Sequence, residues 1–556
     1  MPKMMQRSAL VVLVGAVAAG CGDRPEAYDV RIANMTALGL ADRVAVIDDN
    51  AHRVLFAAPH AGQELERFSV PVGKGIVRAE VSPDGKRLFV LCAGEQPRRK
   101  PDDEGPSLTI VEGTGVRRIP LDAARSGIAL DPLGRYAALF KSPTASGAFP
   151  AGVTTSERSV QLPAAAQVGF VENPNQIEIV DLQAPDATAI VSRTLRSFGG
   201  SPQRVTFTPT LGLPGGARRL LVVETQQDVT LLDLDNVRQK PERPEITVRP
   251  TTGATATVLT PTGVVVDDGD PARNDDARIA VRFASSPSVL VLTLVPTPAD
   301  AKPVEGFALN DFTTSPNLTD VGGPAGDIAF VRTEAGLRLA AVVPTAQSAV
   351  LVDPSTSTTT KVSMPGGYAR LSLITNVVGA GQGTDTALLY GASGTAGVAF
   401  WSLGRASGQP YRSVEAVTVP AAITEVLDVP PPREALKILK ASGQNQFFVL
   451  NLASRTVSPL TTTGTPDLHV AADGQRLWVF QRSSANLAQV ALENLRPISL
   501  PIDRRIDAVF DVTADGGRAV LAVDTRGAGA VTVLDAITPD TATSRSYYGL
   551  LLEDLR

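Results

Sequence analysis

Cysteine is nearly absent from this chain: two of its 556 residues, Cys21 and Cys92. A framework of several disulfides is therefore excluded, and burial of an apolar core has to hold the fold together. Histidine is almost as scarce, with His52, His60 and His469 only. No two of them stand at metal-ligand spacing such as HExxH, and each is expected to be structural or superficial. A GxSxG elbow and a Walker loop are missing too, and Lys74 in VGKGI lacks the upstream glycine that a phosphate loop requires. No basic stripe exists, and the net charge of −5 with a pI near 5.5 argues against nucleic acid as a partner. Helical periodicity is rare as well. The uncharged apolar run from Ala9 to Ala19 falls well short of the roughly 18 residues of a membrane-spanning helix.

The composition that remains is that of a globular chain, 43% hydrophobic and 20% charged, so there is ample material for a core. Its 48 glycines and 42 prolines call for many turns. Short runs rich in Val, Leu, Ile and Thr, alternating or wholly apolar, are separated by Gly, Pro, Asp and Asn. The clearest unit reads IVRAEVSPDGKRLFVLCAGE, SLTIVEG and GVRRIPL, four successive strands a to d. Its a–b turn, Ser82-Pro83-Asp84-Gly85-Lys86, combines a proline that presets φ, an aspartate that tolerates the third position and a glycine that accepts positive φ. The same grammar returns in GIALDPLGRYAALF, RRLLVVETQ, ARIAVRF, DIAFVRTEAGLRLAAVV, ALKILKAS, DLHVAADGQRLWVF and DAVFDVTADGGRAVLAVD. Starting from an N-terminal unit built on RVAVIDD, RVLFAAP and LERFSVP, the repeat gives roughly ten units at a period of about 40 to 60 residues. Such a unit cannot bury both faces alone, so neighbours must stack, and radial stacking makes a β-propeller.

SPDGKRLFV, together with the strand endings IVDL, LLDLD, LVDP and TVLDA, resembles the YVTN-type and WD40-like propeller repeats of bacterial secreted proteins. The resemblance implies an all-β fold of four-stranded antiparallel blades over residues 42–556. About seven to ten blades are expected, with residues 310–325 the place where one ring would give way to a second. It implies little about chemistry, since propellers host both enzymes and binding scaffolds.

At the N-terminus, Lys3 and Arg7 precede the apolar run, and small residues then lead to a cysteine, the order of a secretory signal. Ala18-Ala19-Gly20-Cys21 resembles the lipobox of bacterial lipoproteins, with alanine where leucine is preferred. That resemblance implies cleavage after residue 20, a lipid on Cys21 and a tether over residues 21–41, and Gly22 points to the outer membrane. Cys92, in the strand-like RLFVLC, is expected to be a buried small hydrophobe.

Two insertions and one acidic run are the candidate sites. The b–c connections 94–105 and 142–173 belong to adjacent units, so they are expected to project from one face and one sector. Arg98, Arg99, Phe149 and Phe170 are the candidate anchors there, because arginine and aromatics dominate binding hot spots. Asp267, Asp268, Asp270, Asp275 and Asp276 crowd one a–b connection as a weak candidate for calcium, although Pro271 and Arg273 interrupt any regular ligand spacing. The expected function is an envelope-anchored binding or assembly platform for an envelope protein or a glycan. The alternative is a propeller-fold hydrolase or lactonase acting on a small molecule in the central channel, which would need convergent acid, base or metal-ligating groups there.

Overall fold

A computed structural model describes residues 35–549, apart from 61–63, 96–98, 142–153, 156–157, 162–172, 253–256, 271–272, 334, 375–385, 392–395, 404–412, 442, 483, 515–516, 527–528 and 540–543. Strand makes up 56% and helix 1% of the described residues, as the turn-punctuated strand runs require. The one α-helical element among the described residues is the single turn Asp186–Ala189.

Ten blades follow one another along the described chain, each containing four antiparallel strands in sequence order or nearly so. Blade 1 is Thr36–Gly39, Val44–Asp48, Arg53–Pro59 and Leu65–Pro71, blades 2 to 9 open on Ile76–Val81, Gly127–Leu130, Arg204–Phe207, Pro261–Asp267, Asp327–Thr333, Arg370–Ile374, Ile423–Asp428 and Asp467–Val470, and blade 10 is Ala508–Ala514, Gly517–Asp524, Ala530–Asp535 and Arg545–Tyr547. The first strand of each blade is innermost, since the first strands of successive blades lie against one another around the axis. Thr36–Gly39, within the stretch expected to be tether, is therefore the inner strand of blade 1. Four residues were too short a run to read as a strand from sequence.

Burial explains the composition of the strands. Second strands such as Val44–Asp48, Tyr136–Phe140 and Leu220–Glu224 are buried at every position, because a blade is covered on both faces by its neighbours. Outer strands such as Gly115–Pro120 and Thr359–Ser363 are mostly exposed and correspondingly polar. Alternate side chains serve opposite neighbours: Ala45 and Ile47 pack toward blade 2, whereas Val44 and Val46 pack toward blade 10.

Ten apolar cores result, one between each consecutive pair of blades, and the tenth joins blade 10 to blade 1. Residues 310–325 lie inside this succession: Phe312 belongs to the core between blades 4 and 5, and Val321 and Ala325 to the next. Among the described residues, blades 1 and 10 exchange no strand, so face packing closes the ring, aided by the Thr513 amide donating to the Ala41 carbonyl at 2.9 Å.

The Ser-Pro-Asp-Gly turn folds as its residues dictate. Gly85 has φ +73°, its amide donates to the Ser82 carbonyl at 2.8 Å, and Asp84 accepts from the Lys86 amide at 3.1 Å. Because the strands alternate in direction, the b–c connections and the links between blades share one face of the ring. The a–b and c–d connections share the other.

Candidate binding face and channel

The insertion at 94–105 leaves blade 2 on the b–c face and is fastened at its base. Glu95 pairs with Lys74 at 2.7 Å and accepts from the Glu104 amide at 2.8 Å. Glu104 in turn accepts from the Lys74 amide at 3.1 Å and pairs with Arg118. At the tip, the Asp103 carboxylate takes the amides of Arg99 and Lys100 at 2.6 and 2.7 Å. The acidic block thus orders the basic one, and Arg99 and Lys100 stand exposed on a folded tip. Arg98 lies outside the described residues.

The second insertion takes a different course from the projecting loop that equal connection types suggested. Its described part, Thr154–Thr155 and Ser159–Gln161, forms a hairpin whose second strand pairs antiparallel with Ile76–Val81, the inner strand of blade 2. This extends the blade to six strands toward the ring axis, and the hairpin also lies against the inner strand of blade 1. Arg158 donates to the Pro83 carbonyl at 2.8 Å, so Arg158 reaches the a–b face. An inner strand offers unpaired backbone groups along its edge, and a ring of ten blades leaves axial room for a segment that satisfies them. Phe149 and Phe170 lie outside the described residues.

The acidic run occupies the opposite face. Asp267 accepts from the Gly269 amide at 2.7 Å and from Arg332 at 3.3 Å, and Asp268 takes the Gly212 amide at 2.5 Å. Asp276 takes the Asp270 amide at 3.0 Å, and Asp275 pairs with Arg273 at 2.9 Å. These carboxylates serve as turn acceptors and arginine partners. Among the described residues, no group of three or more His, Cys, Asp or Glu side chains is placed to hold a metal ion. His60 meets Glu66 on the rim of blade 1, while His52 and His469 lie in blades 1 and 9, so the three are dispersed. Cys92 is buried between blades 1 and 2, and burial pushes its thiol up to about 12, which keeps it protonated and inert.

Sequence reading missed Phe198. It lies in the link between blades 3 and 4, on the same face as the 94–105 tip, and is 60% exposed. Its backbone is fixed from below: Asp228 accepts from the Phe198 amide at 2.6 Å, from Ser197 at 2.8 Å and from Thr225 at 2.7 Å. Arg249 covers the ring at 5.2 Å. The only signal in the sequence is an aromatic before Gly199-Gly200, a pattern too common to single out.

Charged side chains also rim the channel. At blades 8 to 10 they neutralise one another, through Lys440 with Glu425 and Asp467 at 3.8 and 3.7 Å, Arg482 with Asp467 at 3.0 Å, and Arg505 with Asp507 at 3.3 Å.

No protein-family model matches the chain, and no curated protein matches it in sequence. Solved structures give a distant likeness. The dihydro-heme d1 dehydrogenase NirN, in complex with DHE, is similar at a TM-score of 0.39 and 12% identity, over 91% of this chain and 87% of that one. Apo AztD from Citrobacter koseri gives 0.32 and 9%, over 77% and 96%. The propeller domain of Myceliophteria thermophila Cps50 (Swd1) gives 0.32 and 12%, over 68% and 97%. The likeness is one of fold alone.

Proposed function

We propose that this chain is a lipoprotein of the cell envelope, anchored through Cys21, and that its propeller is a non-enzymatic platform that binds another envelope protein or a glycan. The observation that carries the reading is Phe198, a large apolar side chain held in the open by a buried carboxylate. It shares its face with the prefolded Arg99-Lys100 tip. Rigid presentation of an aromatic and of arginines lowers the entropy cost of association, and such residues dominate binding energy. The lipid would set the platform at a membrane, with Gly22 favouring the outer one, and the tether would end before Thr36.

Capture from envelope extract tests the platform, with wild type compared at equal folded concentration and moderate salt against two variants. One replaces residues 95–104 with a tight turn, and the other is Phe198→Ala. Both are expected to fold, because loop length enters closure entropy only logarithmically and Phe198 is exposed. Each should lose the captured partner, and unchanged recovery by both would overturn the reading. Anchoring is tested separately by Cys21→Ser, which should abolish processing to the membrane-bound form. A processed, membrane-bound Cys21→Ser protein would refute it.

A further inference from the structure

Between blades 4 and 7 the charges at the channel mouth do not cancel as they do at blades 8 to 10. Arg204 opens the inner strand of blade 4, and its Nη1 donates to the Thr262 carbonyl of blade 5 at 3.0 Å. Thr262 is the bulged residue between Pro261 and Gly263 in the inner strand of that blade. Arg282 reaches the same residue, with Nη1 3.4 Å from the Thr262 hydroxyl. Two guanidinium groups from neighbouring blades thus converge on one bulge.

The path of Arg282 depends on Gly263, its register partner. A Cβ on Gly263 would stand 2.7 Å from Arg282 Nε and 3.3 Å from Cζ, so the guanidinium lies flat over a bare inner strand. Arg370, exposed at the start of the inner strand of blade 7, adds a third positive group. Two carboxylates oppose these three. Glu224 is 2% exposed, and its Oε1 lacks a hydrogen bond and lies 3.9 Å from Arg204. Asp327 is spent on backbone amides, those of Ile328 and Leu371, both at 3.1 Å. Burial lowers the pKa of Arg282, and Arg370 and Arg204 act on it in the same direction while Asp327 and Glu224 oppose them. Guanidinium groups in this state gain most from an added acceptor with two oxygens.

We propose that Arg204 and Arg282, which converge on the Thr262 bulge, form a binding site for a small oxyanion, a phosphate or carboxylate group, at the channel mouth. The planar fork of Arg282 over Gly263 engages two oxygens, Arg204 supplies further donors from the neighbouring blade, and Arg370 adds positive charge to the same mouth. The site uses neither Phe198 nor the 94–105 tip, so its test does not depend on the partner reading.

Isothermal titration of the mature protein with inorganic phosphate, and separately with citrate, at ionic strength held constant with chloride, tests the site. Saturable heat with either anion is expected, and the preferred one names the class. Arg282→Gln should weaken binding by about tenfold or more, the loss of a charge-assisted pair. Gly263→Ala keeps every charge yet displaces the guanidinium, and should weaken binding comparably. Arg370→Gln, at an exposed position, provides a second charge-removing variant with little risk to folding. Arg482→Gln, at the neutralised side of the mouth, should bind as wild type. Absence of saturable heat with both anions would overturn the proposal, as would equal weakening by Arg482→Gln.

Discussion

Gly39 and Phe510 meet across the seam that closes the ring: a Cβ on Gly39 would lie 2.6 Å from Phe510 Cδ1. Gly39 ends the inner strand of blade 1, and Phe510 lies in the inner strand of blade 10, 3% exposed. With no strand exchanged between these blades, such contacts are what keep the ring shut. Phe510→Ala should cost about 3–5 kcal/mol, the usual penalty for emptying an aromatic core site. Urea denaturation checks the value, and a loss under about 1 kcal/mol would mean that the seam bears little of the stability.

Arg125 and Glu178 form an ion pair at 2.8 Å with both side chains 0% exposed. Removing one partner strands the other charge in the core. Arg125→Met should therefore destabilise by about 3–5 kcal/mol, while Arg125→Met with Glu178→Leu should recover most of that loss. Comparison of denaturation midpoints decides the matter: equal destabilisation by the single and double variants would rule out a stranded charge as the cause.

Glu224 gives a pH dependence of definite sign. Burial pushes its carboxyl above the ordinary value, against the pull of Arg204 and Arg282. The folded state then holds the proton more tightly than the unfolded state, so this group's contribution is complete below the ordinary carboxyl range. It is lost as pH rises through the folded value. Glu224→Gln, which cannot ionise, should gain stability relative to wild type as pH rises from the ordinary carboxyl range upward. A stability difference that stays flat or falls over that range contradicts the assignment.

The channel hairpin can be followed at a single amide. Val81 donates to the Arg158 carbonyl at 2.7 Å. Replacing residues 154–161 with a Gly-Ser linker should leave the ring folded but expose the inner edge of blade 2, so that the Val81 amide exchanges faster with solvent. Unchanged protection at Val81, with the ring intact, would show that the hairpin does not pair there.

What the sequence determined by itself is what local chemistry controls. Period-two apolar runs, and turns such as Ser82-Pro83-Asp84-Gly85, specify strands and their grouping into blades, because each depends on residues within one repeat, whereas the closing of ten blades into one ring was left open. The tertiary structure alone decided where distant segments meet. Nothing in Ser159-Val160-Gln161 names Ile76–Val81 as its partner, since a free strand edge pairs through backbone groups that every residue carries. Likewise, no spacing joins Arg204, Arg282 and Arg370, which come from three blades and share a channel mouth only because the ring curves their strands toward one axis.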